Sequence, residues 1–120
     1  MSWPSWGLSQ RVHLCVGSTD MRKSFLALTA LAKNHMGGSP LSGELFVFCN
    51  KRRNLIKILV FDGTGLWVHA KRLEQGTFAW PMTGGPAQSL THQELELMLQ
   101  GIDAKELTLR RWYRRDDVAV

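Results

Sequence analysis

The sequence predicts an α+β fold: a mostly antiparallel β-meander of about four to five strands with two amphipathic helices. Three observations carry this expectation. Runs rich in Val, Ile, Phe, Leu and Trp at residues 44–50, 55–61 and 66–73 follow one another with only short polar breaks. Two stretches, beginning near Met21 and Thr91, repeat apolar residues at helical spacing. The regular strand–helix alternation of a doubly wound parallel sheet is missing.

Taken in order, residues 1–10 form an N-terminal arm with Pro4, Gly7, Trp3 and Trp6. Two indoles left in water would expose much apolar area, so they are expected to pack on the domain or on a partner. Val12, Leu14 and Val16 alternate with polar or small residues and read as a first strand. Gly17-Ser18-Thr19-Asp20 ends it and supplies helix caps. Met21, Phe25, Leu28 and Ala32, widened by Leu31, make the stripe of a first helix, with Arg22 and Lys23 in its first turn. Gly37-Gly38-Ser39-Pro40 stops it, with Asn34 or Gly37 near the C-terminal cap.

The three apolar runs are joined by Lys51-Arg52-Arg53-Asn54 and by the Asp62-Gly63-Thr64-Gly65 turn. Thr77-Phe78-Ala79-Trp80 is expected to extend the meander as a fourth strand, closed by Pro81. Residues 82–89, with Gly84-Gly85-Pro86, read as a loop. Thr91-His92-Gln93-Glu94 is a capping box ahead of Leu95, Met98, Leu99 and Ile102, and Gly101 ends that helix. Residues 11–104 are thus one domain, and residues 105–120 are a basic tail, either a short helix or a flexible segment.

The chain of 120 residues carries a net charge of +5. Eight cations against Asp20 and Glu44 give the first 60 residues +6, residues 61–104 carry −3, and the tail carries +2. Such segregation suits an anionic partner, nucleic acid above all. Two cysteines, Cys15 and Cys49, exclude a disulfide framework and a four-cysteine zinc site. No apolar run approaches the ~18 residues of a membrane span, and the N-terminus lacks signal-peptide character. A cytoplasmic protein with no membrane partner is expected.

Catalytic patterns are weak. His13, His35, His69 and His92 show no ligand spacing. The carboxylates Asp20, Glu44, Asp62, Glu74 and Asp103 each have a plainer reading as cap, turn or strand-end residues than as a two-metal cluster. Gly63-Thr64-Gly65 lacks the rest of a nucleotide fingerprint, and Tyr113 lacks an activating partner. No catalytic residue, metal or cofactor is therefore expected.

Binding patterns are stronger. Lys51-Arg52-Arg53 at a hairpin tip, with Lys57 nearby, groups cations whose forks match phosphate oxygens. Arg22 and Lys23 at a helix start oppose the helix dipole, which an anionic partner would relieve. Lys71 and Arg72 fall on the adjacent strand and share one sheet face with Lys57 in some registers. Arg110, Arg111, Arg114 and Arg115 flank Trp112 and Tyr113, a combination that suits phosphates and bases or an acidic protein surface.

These residues also fall into an ordered set of motifs. Thr19-Asp20-Met21-Arg22-Lys23-Ser24-Phe25 is followed by Pro40-Leu41-Ser42-Gly43-Glu44-Leu45-Phe46-Val47-Phe48 and Asn50-Lys51-Arg52-Arg53. Asp62-Gly63-Thr64-Gly65-Leu66-Trp67, Lys71-Arg72-Leu73-Glu74-Gln75-Gly76 and Phe78-Ala79-Trp80-Pro81 continue the order. The set resembles the accessory second-open-reading-frame (TnpB-type) protein of the insertion-sequence-66 family of bacterial transposable elements, over about residues 10–104. The Trp-rich N-terminus and the Arg-Arg-Trp-Tyr-Arg-Arg tail depart from the family pattern. The resemblance implies a non-catalytic accessory protein of transposition, working beside a separately encoded transposase that holds the strand-transfer chemistry. With the charge pattern, it leads to an expected partnership with DNA at the element ends. An adaptor that docks on the transposase without touching DNA is the alternative, and self-association into a homo-oligomer stays open.

Overall fold

A computed structural model describes residues 11–101. The elements are β1 (Val12–Cys15), α1 (Phe25–Ala30) continuing as a π-helical turn (Leu31–His35), β2 (Leu45–Cys49), β3 (Leu55–Phe61), β4 (Leu66–Arg72), β5 (Ala87–Leu90) and α2 (His92–Leu99). The strands form one five-stranded sheet in the order β4-β3-β2-β1-β5. The expected α+β class and the β2-β3-β4 meander are both present. Every pairing is antiparallel except β1 with β2, which run parallel and are connected through α1.

The middle of the sheet is buried on both faces, which is why β2 reads as an unbroken apolar run rather than an alternating one. On one face Cys15, Phe46, Phe48 and Leu59 pack against Leu28 and Ala32 of the first helical segment. On the other, Val12, Leu14, Leu45, Val47, Ile56, Ile58 and Val60 pack against Phe78, Trp80 and Leu95. The layers are therefore α1, the sheet, and a cover made of residues 73–80 with α2. A Cβ on Gly38 would collide with the Phe46 ring, so the end of the first helix lies tight against the beginning of β2.

Four expectations are corrected. The first helix begins at Phe25, not Met21. Asp20 does not cap it: Asp20 Oδ1 accepts from Arg22 N at 2.9 Å, and Lys23 N closes a turn onto Asp20 O. Lys57 Nζ then donates to the carbonyls of Met21 and Lys23 at 2.7 and 3.0 Å, taking acceptors that a helix would need for its own amides. Met21 still packs on the core.

Residues 77–80 are not a strand of the meander but the lid over the second face. Phe78 N is tied to Arg53 O, and Trp80 Nε1 donates to the carbonyls of Cys15 and Gly17, both at 3.0 Å. The alternation of Phe78 and Trp80 arises from that cover. The fifth strand instead comes from Ala87-Gln88-Ser89-Leu90, within the stretch expected to be a loop, and it pairs along β1. It is a half-exposed edge, where polar residues are ordinary. The capping box of α2 is complete: Glu94 N donates to Thr91 Oγ1 at 3.1 Å, and Thr91 N donates to Glu94 Oε1 at 2.9 Å.

Candidate nucleic-acid interface

Strand direction decides where the cations go. The β2-β3 hairpin Lys51-Arg52-Arg53 caps one end of the sheet, and all three side chains are exposed. Leu55 pairs with Arg72 and Ile56 with Lys71, so β4 finishes at that same end. Because β1 is parallel to β2, it also finishes there, and Thr19 N donates to Cys49 O at 2.7 Å. The turn carrying Arg22 and Lys23 follows directly. Seven cations thus converge: Arg22, Lys23, Lys51, Arg52, Arg53, Lys71 and Arg72. Asp20 and Glu74 are the acidic residues among them. The opposite end of the sheet carries Glu44 and Asp62, and α2 begins there with Glu94.

The hairpin loop is held from inside. Asn50 Oδ1 accepts from the amides of Asn54 and Leu55, and Asn50 Nδ2 donates to Asn54 Oδ1 at 2.7 Å. Arg53 takes a left-handed conformation, φ 59°, which turns the chain back into β3. The charges therefore stand on a braced loop. Cys49 lies just beneath it, and burial raises its thiol pKa to about 11, so it stays protonated and inert.

The other cations differ in availability. The Arg22 guanidinium grips Asp20 through Nε at 3.1 Å and Nη2 at 2.7 Å, yet its side chain is 91% exposed. This fork holds the Asp20 carboxyl well below the usual carboxylate range. Lys57 is half-buried and is occupied by the Met21 and Lys23 carbonyls, as described above. Lys71 Nζ donates to Leu99 O at 2.7 Å and caps the C-terminus of α2. Register places Lys57 on the face of Arg72, and Lys71 on the other face, so the three do not form one row. Arg110, Arg111, Arg114 and Arg115 lie outside the described residues. Gly101 lies at this end, where a Cβ on it would collide with the Leu73 side chain.

Two features were not singled out from sequence. Phe25 and Leu26 are exposed beside Arg22, Leu26 by 88%, and line a shallow depression of about 630 Å³ with Asp20, Lys23, Ser24 and Ala27. Phe25 stands at the first position of α1, outside the buried stripe of Leu28 and Ala32. Trp67 is also half-exposed, on the edge strand β4. Among the described residues no group of three or more His, Cys, Asp or Glu could hold a metal ion, and no helix is long and apolar enough to cross a membrane.

A small mixed-sheet domain with one basic end is the class that fold and charge define. The sequence pattern of the IS66 Orf2-like proteins matches residues 10–108, and the chain belongs to that family, the accessory proteins of IS66-type transposition. It is 37% identical over 97 residues to the uncharacterized protein y4hO of Sinorhizobium fredii strain NGR234, covering 81% of this chain and 84% of that one. It is 31% identical over 103 residues to the uncharacterized protein y4jC of the same strain, covering 86% of each. No solved structure matches the chain significantly.

Proposed function

We propose that this protein is a non-catalytic accessory factor of transposition that binds DNA through the basic end of its sheet, in the cytoplasm, and assists a separately encoded transposase. The observation that carries the reading is the convergence of seven cations from three separate sequence segments on one end of the sheet. Lys51, Arg52, Arg53, Arg22, Lys23 and Arg72 are the proposed phosphate contacts, with Arg110, Arg111, Arg114 and Arg115 of the tail as further ones. Lys57 and Lys71 serve the surface from beneath, by fixing the 20–23 turn and the end of α2.

A mobility-shift titration on DNA from the element ends, repeated across salt concentrations, tests this. Each lost phosphate contact lowers the slope of log affinity against log salt by ~0.9. The Lys51→Ala/Arg52→Ala/Arg53→Ala variant should bind more weakly and show a flatter slope. Absence of any shift at ~50 mM salt would refute the reading, because phosphate-driven binding is strong there.

The adaptor reading is favoured by a different observation, the exposed Phe25 and Leu26 on the basic end. It predicts nuclease-resistant co-purification with the transposase that Leu26→Ser abolishes.

A further inference from the structure

We infer that the open edge of β4 carries a stacking site for the unpaired bases of single-stranded DNA, built from Trp67 and His69. The inference rests on the reading of the basic end as a DNA surface, and adds to it a kind of DNA. Trp67, His69 and Lys71 alternate along β4 and so share one face. Their neighbours on β3, Val60, Ile58 and Ile56, are buried under the lid and α2. Trp67 is 50% exposed, a large apolar area for an edge strand to leave in water.

The indole is nevertheless fixed. Its Nε1 donates to Asp62 Oδ2 at 2.7 Å, and the His69 ring lies nearly parallel to it, at 7° with centroids 5.6 Å apart. A ring already oriented loses little freedom when a ligand arrives. Trp67 stands at the Asp62 end of β4, and the cations Lys71 and Arg72 lie four and five residues further along the strand toward the hairpin. The ligand that suits it therefore has a flat π-face at Trp67 and a negatively charged chain long enough to run along the strand to the basic end. Unpaired bases meet both demands, whereas a duplex keeps its base faces inside the stack. Stacking of this kind accepts any base and draws its affinity from phosphate contacts alongside.

The test titrates the full chain into labelled oligothymidylate and, separately, labelled duplex. Trp67→Ala should weaken oligothymidylate binding by at least about fivefold, while duplex binding changes by less than about twofold. Trp67→Phe, which keeps a ring, should retain most of the affinity, and thermal melts check that both variants fold. Equal losses on the two probes, or no loss on oligothymidylate, overturn the inference. If duplex binding depends on Lys51, Arg52 and Arg53 but oligothymidylate ignores Trp67, this inference alone fails. If neither probe binds the wild type, both readings fail. A change in sedimentation with Trp67→Ala, without a change on oligothymidylate, overturns it in favour of a second copy at this edge.

Discussion

Asp62 shows how much one exposed carboxylate can organise. It accepts from Thr64 N, Gly65 N and Thr64 Oγ1 at 2.9–3.0 Å, and from the Trp67 indole at 2.7 Å. The Thr64 amide above all, then the indole, holds its carboxyl far below the ordinary carboxylate range. All four donors favour the ionised form, so the sign of the linkage follows. A depressed folded pKa contributes stability that is complete above the unfolded value of ~3.9 and is lost as the pH falls below it. Asp20, gripped by Arg22, acts in the same direction. Asp62→Asn should therefore melt below the wild type at neutral pH, and the gap should begin to narrow only below about pH 4, continuing to close as the pH falls toward the depressed folded pKa. Thermal melts across that range check this, and a gap independent of pH would show that the carboxylate charge is irrelevant to the turn.

At the scale of elements, the first helix and its approach depend on Lys57. A half-buried ammonium donating to two carbonyls replaces the first turn of a helix that the spacing of Met21 and Phe25 suggests. Lys57→Met keeps the stem but leaves both carbonyls without that donor. It should cost roughly 1–3 kcal/mol in urea unfolding, with little change in the salt slope of DNA binding. A steep loss of slope would instead make Lys57 a direct phosphate contact. The same residue explains a limit of sequence reading. Periodicity finds apolar faces, and Met21 does face the core; it does not register a cation 36 positions away that claims the backbone. The lid is a similar case, since Phe78 and Trp80 have the period of a strand but cover the sheet instead of joining it. The polar strand Ala87–Leu90 has almost no apolar signal of its own, and is recruited by the free edge of β1. The meander and the Thr91 capping box were legible because their determinants, turn residues and a hydroxyl three positions from a glutamate, are local.

For the whole molecule, the cations of the proposed surface were each visible in the sequence, but their convergence was not. It depends on β1 running parallel to β2, which brings the 20–23 turn to the hairpin end, and on the register that sets Arg72 beside Leu55. The result is a sheet basic at one end and acidic at the other, and this makes position separable from total charge. Arg52→Gln/Arg53→Gln lowers the net charge from +5 to +3 at the basic end. Arg11→Gln/Lys33→Gln makes the same change elsewhere: Arg11 precedes β1 at the acidic end, and Lys33 lies on the helical segment running toward the start of β2. Long-range attraction fades beyond the ~8 Å screening length of physiological salt, so only nearby charges should count there. The first pair should weaken DNA binding several-fold at that salt and flatten the slope by up to ~1.8, two contacts' worth. The second should leave both nearly unchanged. Equal weakening by the two pairs would mean that DNA senses only the overall charge, and the basic end would lose its standing as a contact surface.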